Sequence, residues 1–344
     1  MDQDSRNIRA QAEMHHAFLL GLQLMISTNK GPEVMGDWMF RLFRRQHHEK
    51  FLSSFDKLGL TGQPDAVACA KYHVMSNSIG GVPVEYMYEN DRKAWVRFRY
   101  PRWLYEGPTI CGVPQSVSQG FLSGWYSYNG VSLNNPRLGF VCVSEDMTGE
   151  FGLCGYFKEY DHDLADSERL QFSKGELPPS FVAVDQPDLP ADQWGKVRLE
   201  KANRNYAMEY IRHGVIELSN VIGTEETVLL GGRAARLIGL QYFGQTSRTV
   251  GTVDEGLDSA SDYLCRMFNG LGDETKTERT EGLVRIYHEG LRIVRGLEGQ
   301  DRKLLLDVWV QLWKGALASQ REMKSVSPLV GEQEIVWEIR RLGN

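Results

Sequence analysis

The stretch Val84-Glu-Tyr-Met-Tyr-Glu-Asn-Asp-Arg-Lys-Ala-Trp-Val-Arg-Phe-Arg-Tyr100 decides the fold class. Val84, Tyr86 and Tyr88 alternate with Glu85 and Glu89. From Ala94 to Tyr100, Trp95, Arg97 and Arg99 alternate with Val96 and Phe98. A period of two on both sides of the Asn90-Asp91 turn predicts a β-hairpin. Upstream, Asp65 to Ser78 reads as a helix closed by Gly80-Gly81. Before it, Ile8 to Leu60 carries apolar residues at helical spacing and is broken at Asn29-Lys30-Gly31-Pro32, where Pro32 opens a second helix. Downstream, Val117 to Tyr128 predicts a short helix, and Leu138–Ser144 and Leu153–Tyr160 a second hairpin.

The same order returns after a proline-rich stretch. Arg198–Asn220, Glu225–Phe243 and Asp258–Phe268 read as helices, Thr275–Thr280 and Gly282–His288 as a hairpin. Leu304–Ala318 follows as an amphipathic helix, and Met323–Val330 and Ile335–Arg340 as closing strands. Local pairs align the halves: Gly36 and Arg41-Leu42 with Gly231 and Arg236-Leu237, and Tyr72 and Gly81 with Tyr263 and Gly272. The expectation is an α/β protein, α+β in arrangement, of two pseudo-repeats of helices packed on a short antiparallel sheet. The first spans 1–177, a linker 178–197 and the second 198–344. Two unrelated halves of similar pattern are the other reading.

Composition narrows the function classes. The 344 residues carry 39 Lys and Arg against 45 Asp and Glu, a formal charge of -6. Phosphate binding needs a concentrated basic surface, so nucleic acid is not the expected partner. The run Arg41, Arg44, Arg45, His47, His48, Lys50 reads as a solvated helix face or an anion site. No apolar run is long enough to span a bilayer, no targeting segment appears, and the five cysteines read as reduced thiols. A cytoplasmic, membrane-free location and a homo-oligomer, by default a symmetric dimer, are expected.

Several constellations offer chemistry, each with an ordinary packing reading beside it. Cys111, Cys142 and Cys154, joined by His73 or His162, would make a zinc site if the fold gathered them, although none has CxxC spacing. Glu209 and His213 stand at i, i+4 with Tyr206 and Tyr210 nearby, and Glu13 and His16 sit in the corresponding upstream helix, a pattern able to hold a divalent metal between helices. Tyr72, His73, Asn77 and Glu85 form a polar group in which a histidine beside a carboxylate serves as general base. Gly231-Gly232-Arg233 and Arg236 either hold a carboxylate or permit close helix packing. The aromatics Trp95, Phe98, Tyr100, Trp103, Tyr105, Trp125, Tyr126 and Tyr128 line a small-ligand pocket or a core. No Walker, dinucleotide or Gly-x-Ser-x-Gly motif is present.

The repeated unit resembles the 4-vinyl-reductase domain and the related aminothiazoline-carboxylate hydrolase family. The likeness rests on layout, on Phe43-Arg44-Arg45, on Ser78-Ile79-Gly80-Gly81, and on Cys111 preceding a helix with Leu122-Ser123-Gly124. Cys142 and Cys154 flank Thr148-Gly149-Glu150-Phe151-Gly152, whereas the second half has no cysteine at these places. The resemblance implies a small organic substrate and hydrolysis of a C–N bond in a cyclic or aromatic compound. On that reading His73 or Glu209 is the base, Glu85 or His213 assists, and Arg233 and Arg236 hold a substrate carboxylate. Asn77, Tyr72, Trp125 and Tyr206 contact the substrate. A non-catalytic ligand sensor and a metal-dependent oxygenase using the helical Glu and His residues are the alternatives.

Overall fold

A computed structural model describes residues 2–100, 106–146 and 151–342. It is a mixed helix-and-sheet, α+β fold of two compact units. The middle unit is Ser27–Leu199; the terminal unit combines Met1–Ile26 with Glu200–Asn344. A division at 178–197 assigns the first helix to the first half, whereas residues 1–26 belong with the C-terminal half.

Helix α1, Gln3–Phe55, is broken at Gly31, whose φ of 84° and ψ of 178° leave the helical region just before Pro32. In the middle unit, the part of α1 after Pro32 buries Met35, Trp38, Met39 and Leu42. Helix α2, Asp65–Ile79, leads into strands β1, Val84–Asn90, and β2, Lys93–Phe98. Helices α3, Ser116–Gly124, and α4, Asn129–Ser132, precede β3, Leu138–Ser144, and β4, Cys154–Glu159, and a three-residue β5, Leu170–Phe172, follows. The strand order is β1-β2-β4-β3-β5, antiparallel except for the parallel pair β3–β5. Close approach of α3 to α1 requires a glycine: a Cβ at Gly120 would stand 2.7 Å from the Gly36 carbonyl oxygen.

Alternation divides this sheet into two apolar faces. Phe140 and Phe157 lie on the α2 side, where their rings meet Tyr126. On the other side Met87, Trp95, Val141, Val143, Cys154 and Tyr156 form a second buried cluster. The proline-rich stretch is tied across that second face. Glu176 accepts hydrogen bonds from Tyr156 Oη (2.7 Å) and Lys93 Nζ (3.1 Å). Gln186 accepts from Tyr86 N (2.9 Å) and donates to Tyr86 O (2.8 Å), completing the edge of β1.

In the terminal unit, α5, Lys196–Ile222, and α6, Thr224–Val250, precede α7, Leu257–Leu271. Strands β6, Glu274–Thr280, and β7, Leu283–Glu289, are followed by α8, Gly299–Leu317, then β8, Lys324–Val330, and β9, Glu334–Arg341. The order β6-β7-β9-β8 is antiparallel throughout. Its buried face carries Val284, Ile286, His288, Ile335, Trp337 and Ile339. Its other face carries Arg285, which pairs with Glu338 (2.9 Å), and Tyr287, which bonds Glu278 (2.9 Å). Trp309, Trp313 and Trp337 are fully buried; each side chain of this size contributes on the order of 1.5–3 kcal/mol by leaving water. Among the described residues no helix is long and apolar enough to cross a membrane.

Candidate functional site

The middle unit brings three of the expected residues together. His73 on α2 is stacked between Tyr126 (centroids 3.7 Å apart) and Phe157 (5.4 Å). Its Nε2 accepts from Asn129 Nδ2 at 2.9 Å. Burial, with the neighbouring His47 adding to it, holds its pKa well below the usual histidine value. Tyr72 and Trp125 pack around it, with Trp125 6.1 Å from the His73 ring and 6.2 Å from Tyr72. Asn77 is a helix-end residue: its Nδ2 donates to His73 O (2.7 Å), and its own carbonyl accepts from Val82 N (2.9 Å).

Glu85 does not join them. It pairs in register with Arg97, which puts it on the face of the sheet opposite Phe157, and its carboxylate meets Arg99 Nε at 3.3 Å. The expected His73–Glu85 couple is therefore separated by strand alternation.

The cysteines are separated for the same reason. Cys154 belongs to the cluster holding Val141 and Val143, while Cys142, the residue between those valines, points to the other face. Burial pushes both thiols up to about 12, and Cys111 is exposed at the end of the turn Gly107–Cys111. His162 is exposed. Among the described residues no three His, Cys, Asp or Glu side chains gather as metal ligands, at the cysteines or at Glu13, His16, Glu209 and His213.

Glu209, His213 and Tyr206 lie on α5, and Arg233 and Arg236 on α6, all in the terminal unit. Tyr206 stacks edge-on against Tyr210 at 5.2 Å. His213 is buried and Glu209 half-buried. Arg233 and Arg236 are exposed, and Gly231 meets Val308 of α8, its Cβ position 3.2 Å from the valine Cγ1; the glycines serve helix packing. Trp103, Tyr105, Thr148, Gly149 and Glu150 lie outside the described residues.

The basic run on α1 divides by helical face. Arg41 and Arg45 bond Asp37 and Glu49 at the surface. Arg44 donates to the carbonyls of Gly124 (2.8 Å) and Ser123 (3.0 Å) and lies 3.9 Å over the Tyr128 ring. His47 is buried, stacked on Phe51 at 4.6 Å and hydrogen-bonded to Ser132 Oγ at 2.8 Å. Burial and the charge of Arg44 lower its pKa to about 3. The spacing Phe43-His47-Phe51-Phe55 was the signal, since it places the histidine on the apolar stripe.

The terminal unit holds an open cleft of about 730 Å³ that sequence reading missed. Its walls are the end of β7 with the following loop (Glu289, Leu291, Arg295), Arg302 of α8, and the β8–β9 turn (Glu332, Glu334). Glu289 and Glu334 are direct cross-strand partners, two like charges side by side, an arrangement that is unfavourable without a cation nearby. Lys276 reaches Glu289 at 3.6 Å. Arg302 Nη2 holds the turn by donating to the carbonyls of Gly331 (2.9 Å) and Glu332 (2.6 Å). Leu291 is buried with φ 28° and ψ 55°, a left-handed conformation that costs a residue with a Cβ about 1–2 kcal/mol. Strain of this kind collects at sites whose geometry matters.

Behind the cleft, Asp273 fixes the loop. Its carboxylate accepts from Arg292 N (2.9 Å) and lies 2.9 Å from His288 Nε2, both side chains being fully buried. Trp337 Nε1 donates to His288 Nδ1 at 3.4 Å. With Nδ1 accepting, Nε2 carries the proton and donates it to Asp273. The sequence signal for it is the loop Glu289-Gly-Leu-Arg-Ile-Val-Arg-Gly296: two arginines between glycines, connecting a strand to a helix.

No protein-family model, no curated protein and no solved structure matches this chain.

Proposed function

We propose that the chain is a small-molecule-binding protein whose ligand sits in the cleft of the terminal unit. The cleft carries this reading: its volume is in the range typical of ligand sites. Glu289 and the exposed Arg295 lie on the wall formed by β7 and its loop, and Glu334, the cross-strand partner of Glu289, on that of the β8–β9 turn. Such walls suit a small polar ligand bearing both a basic and an acidic group, the basic group relieving the glutamate pair. Burial supports binding over hydrolysis at His73, since it holds that histidine's pKa well below the usual value and leaves it a weak base.

The matching element order, and the common strand pattern in which each second hairpin places its later strand next to the first hairpin, support reading the two units as copies of one ancestral module. Hydrolysis of a ring C–N bond, dimer formation and a cytoplasmic location stay with the resemblance and the composition that suggested them.

The test is isothermal titration of the full chain with a panel of amino acids and related zwitterions, beside their N-acetylated and amidated forms. Binding of a zwitterion that either modification weakens about tenfold, about 1.4 kcal/mol, and that Glu334→Gln weakens similarly, is the expected result. Absence of binding across the panel, or binding that Glu334→Gln and Arg295→Ala leave unchanged, would sink the reading.

A further inference from the structure

Two guanidinium groups converge beside the C-terminal end of α7 in the terminal unit. The point where a Cβ of residue 272 would stand lies 3.2 Å from Arg204 Nη1, 3.2 Å from Arg292 Nε and 3.6 Å from Arg292 Cζ. Residue 272 is a glycine with φ 87°, so no Cβ intrudes between the two guanidiniums. Arg204 is 5% exposed. Its Nη1 donates to Gly270 O at 3.2 Å, and its Nε and Nη2 to Asn205 Oδ1 at 3.1 and 2.9 Å. Arg292 Nε is buried with no hydrogen-bond partner.

Two cations held this closely in a buried place need compensation, because desolvated charge is costly unless paired. One carboxylate is at hand, and Asp273 already accepts from Arg292 N and from His288. The carbonyl end of α7 offsets a further part of the charge, about half a unit. Burial and the nearness of Arg292 lower the Arg204 pKa to about 10, which leaves it charged at neutral pH. The guanidinium groups are held from behind. Arg204 is fixed by Asn205, while Arg212 donates to the backbone carbonyls of Arg292 and Ile293, anchoring the segment that carries Arg292. The strained Leu291 sets the direction in which that segment leaves β7.

We infer that Arg204 and Arg292 form an oxyanion site over Gly272, taking a phosphate or a carboxylate group bridged between the two guanidiniums. The planar guanidinium fork matches both anions. Access is from the half-buried Arg292 side. The site is separate from the side chains lining the cleft and does not depend on the cleft being occupied.

The experiment uses the full chain in three arms at equal ionic strength: sodium phosphate, sodium acetate and sodium chloride. It reads thermal midpoint and titration calorimetry. Phosphate or acetate should raise the midpoint above the chloride arm with saturable binding, and whichever binds more tightly identifies the group. Arg292→Gln should weaken that binding at least tenfold, and Arg292→Lys, which keeps the charge but loses the fork, should fall between. In the wild-type chain the Arg292 Nε–H resonance should shift on adding the bound anion, a readout that needs no variant to fold. Equal midpoints in all three arms would overturn the proposal. So would anion binding that Arg292→Gln leaves intact, or an unmoved Arg292 Nε–H signal.

Discussion

The two units share an order of elements, and His15 and His288 of the terminal unit are held differently from His47 of the middle unit. In the terminal unit His15 Nε2 accepts from Trp309 Nε1 at 2.9 Å, and its Nδ1 lies 2.6 Å from Gln11 Nε2. His288 is likewise held at both nitrogens, by Asp273 and Trp337. His47 Nδ1, Trp125 Nε1 and Asn129 Oδ1 of the middle unit are buried without a partner, as are Gln11 Oε1 and Trp313 Nε1 near His15, whose own ring nitrogens are both held. An unmade hydrogen bond in a buried place costs about 1–3 kcal/mol. A ring with every polar atom partnered specifies one arrangement, whereas the open set in the middle unit is held by stacking and shape. The sheets differ in the same sense. The middle sheet is covered on both faces, by α2 and by the tied stretch 173–190, and the terminal sheet leaves one face to charged pairs.

The sharpest way to break the likeness is at the helix crossings. Gly315 on α8 abuts the Arg236 carbonyl of α6, as Gly120 on α3 abuts that of Gly36 on α1. Gly315→Val and Gly120→Val should each cost about 3 kcal/mol or more in urea unfolding, as overpacking against backbone. A cost below about 1 kcal/mol at either would show that the crossing is loose there and the parallel superficial.

Next come the histidines. His288→Phe strands the Asp273 carboxylate and Trp337 Nε1 and should cost about 3 kcal/mol. His47→Phe strands only Ser132 Oγ and should cost about 1 kcal/mol or less. Equal losses in denaturant titrations would erase the distinction between saturated and open sets.

Acid separates the groups by sign. His47 and His15 have folded pKa values of about 3 and 4, below the unfolded value near 6.5, and His73 is shifted the same way. Between those limits the unfolded chain binds more protons, so stability falls as pH drops below about 6.5, by up to about 1.4 kcal/mol per pH unit for each histidine. Asp146, raised to about 7 by burial, works the other way: its contribution is whole below about pH 4 and falls away as pH rises from about 4 to 7. Ring C–H resonances of His15, His47 and His73 should stay in the neutral position down to pH 5. A midpoint near 6.5 for any of them would contradict its buried placement.

The smallest expected effect lies on the open face of the terminal sheet. Glu338→Gln loosens pairs to Arg285 and Arg340 that are partly exposed and should change stability by about 0.5 kcal/mol, less at high salt. A larger loss would mean that this face is not simply solvated.

Much of this fold was legible because its periods are strong. Leu138–Ser144 keeps its predicted ends, and the break at Gly31-Pro32 falls where φ above zero meets a residue without an N–H. Helix α6 runs to Val250, beyond the expected Phe243, because Thr246 turns its hydroxyl back onto the Tyr242 carbonyl (2.9 Å) and so satisfies itself within the helix. Strand β5 was missed since three residues, Leu170-Gln-Phe172, carry no usable period. The site was harder. His73, Tyr72 and Trp125, read as parts of one site, do meet, but strand parity removes Glu85 and splits Cys142 from Cys154. Nothing local reports which sheet face a distant strand will share. The cleft depends on a loop, Glu289 to Arg295, whose walls come from a turn some 40 residues later.

The division of α1 has a consequence for synthesis. Residues 3–26 are made before the middle unit, yet His15 finds its partner at Trp309 and Gly270 closes on the backbone of Asn7. The middle unit, Ser27–Leu199, is made in full while the helix before it waits, its apolar stripe uncovered, for Trp309 to be synthesised. Its folding partner is made after the middle unit, so a nascent product stalled between Leu199 and Trp309 would carry one finished body and one orphaned helix.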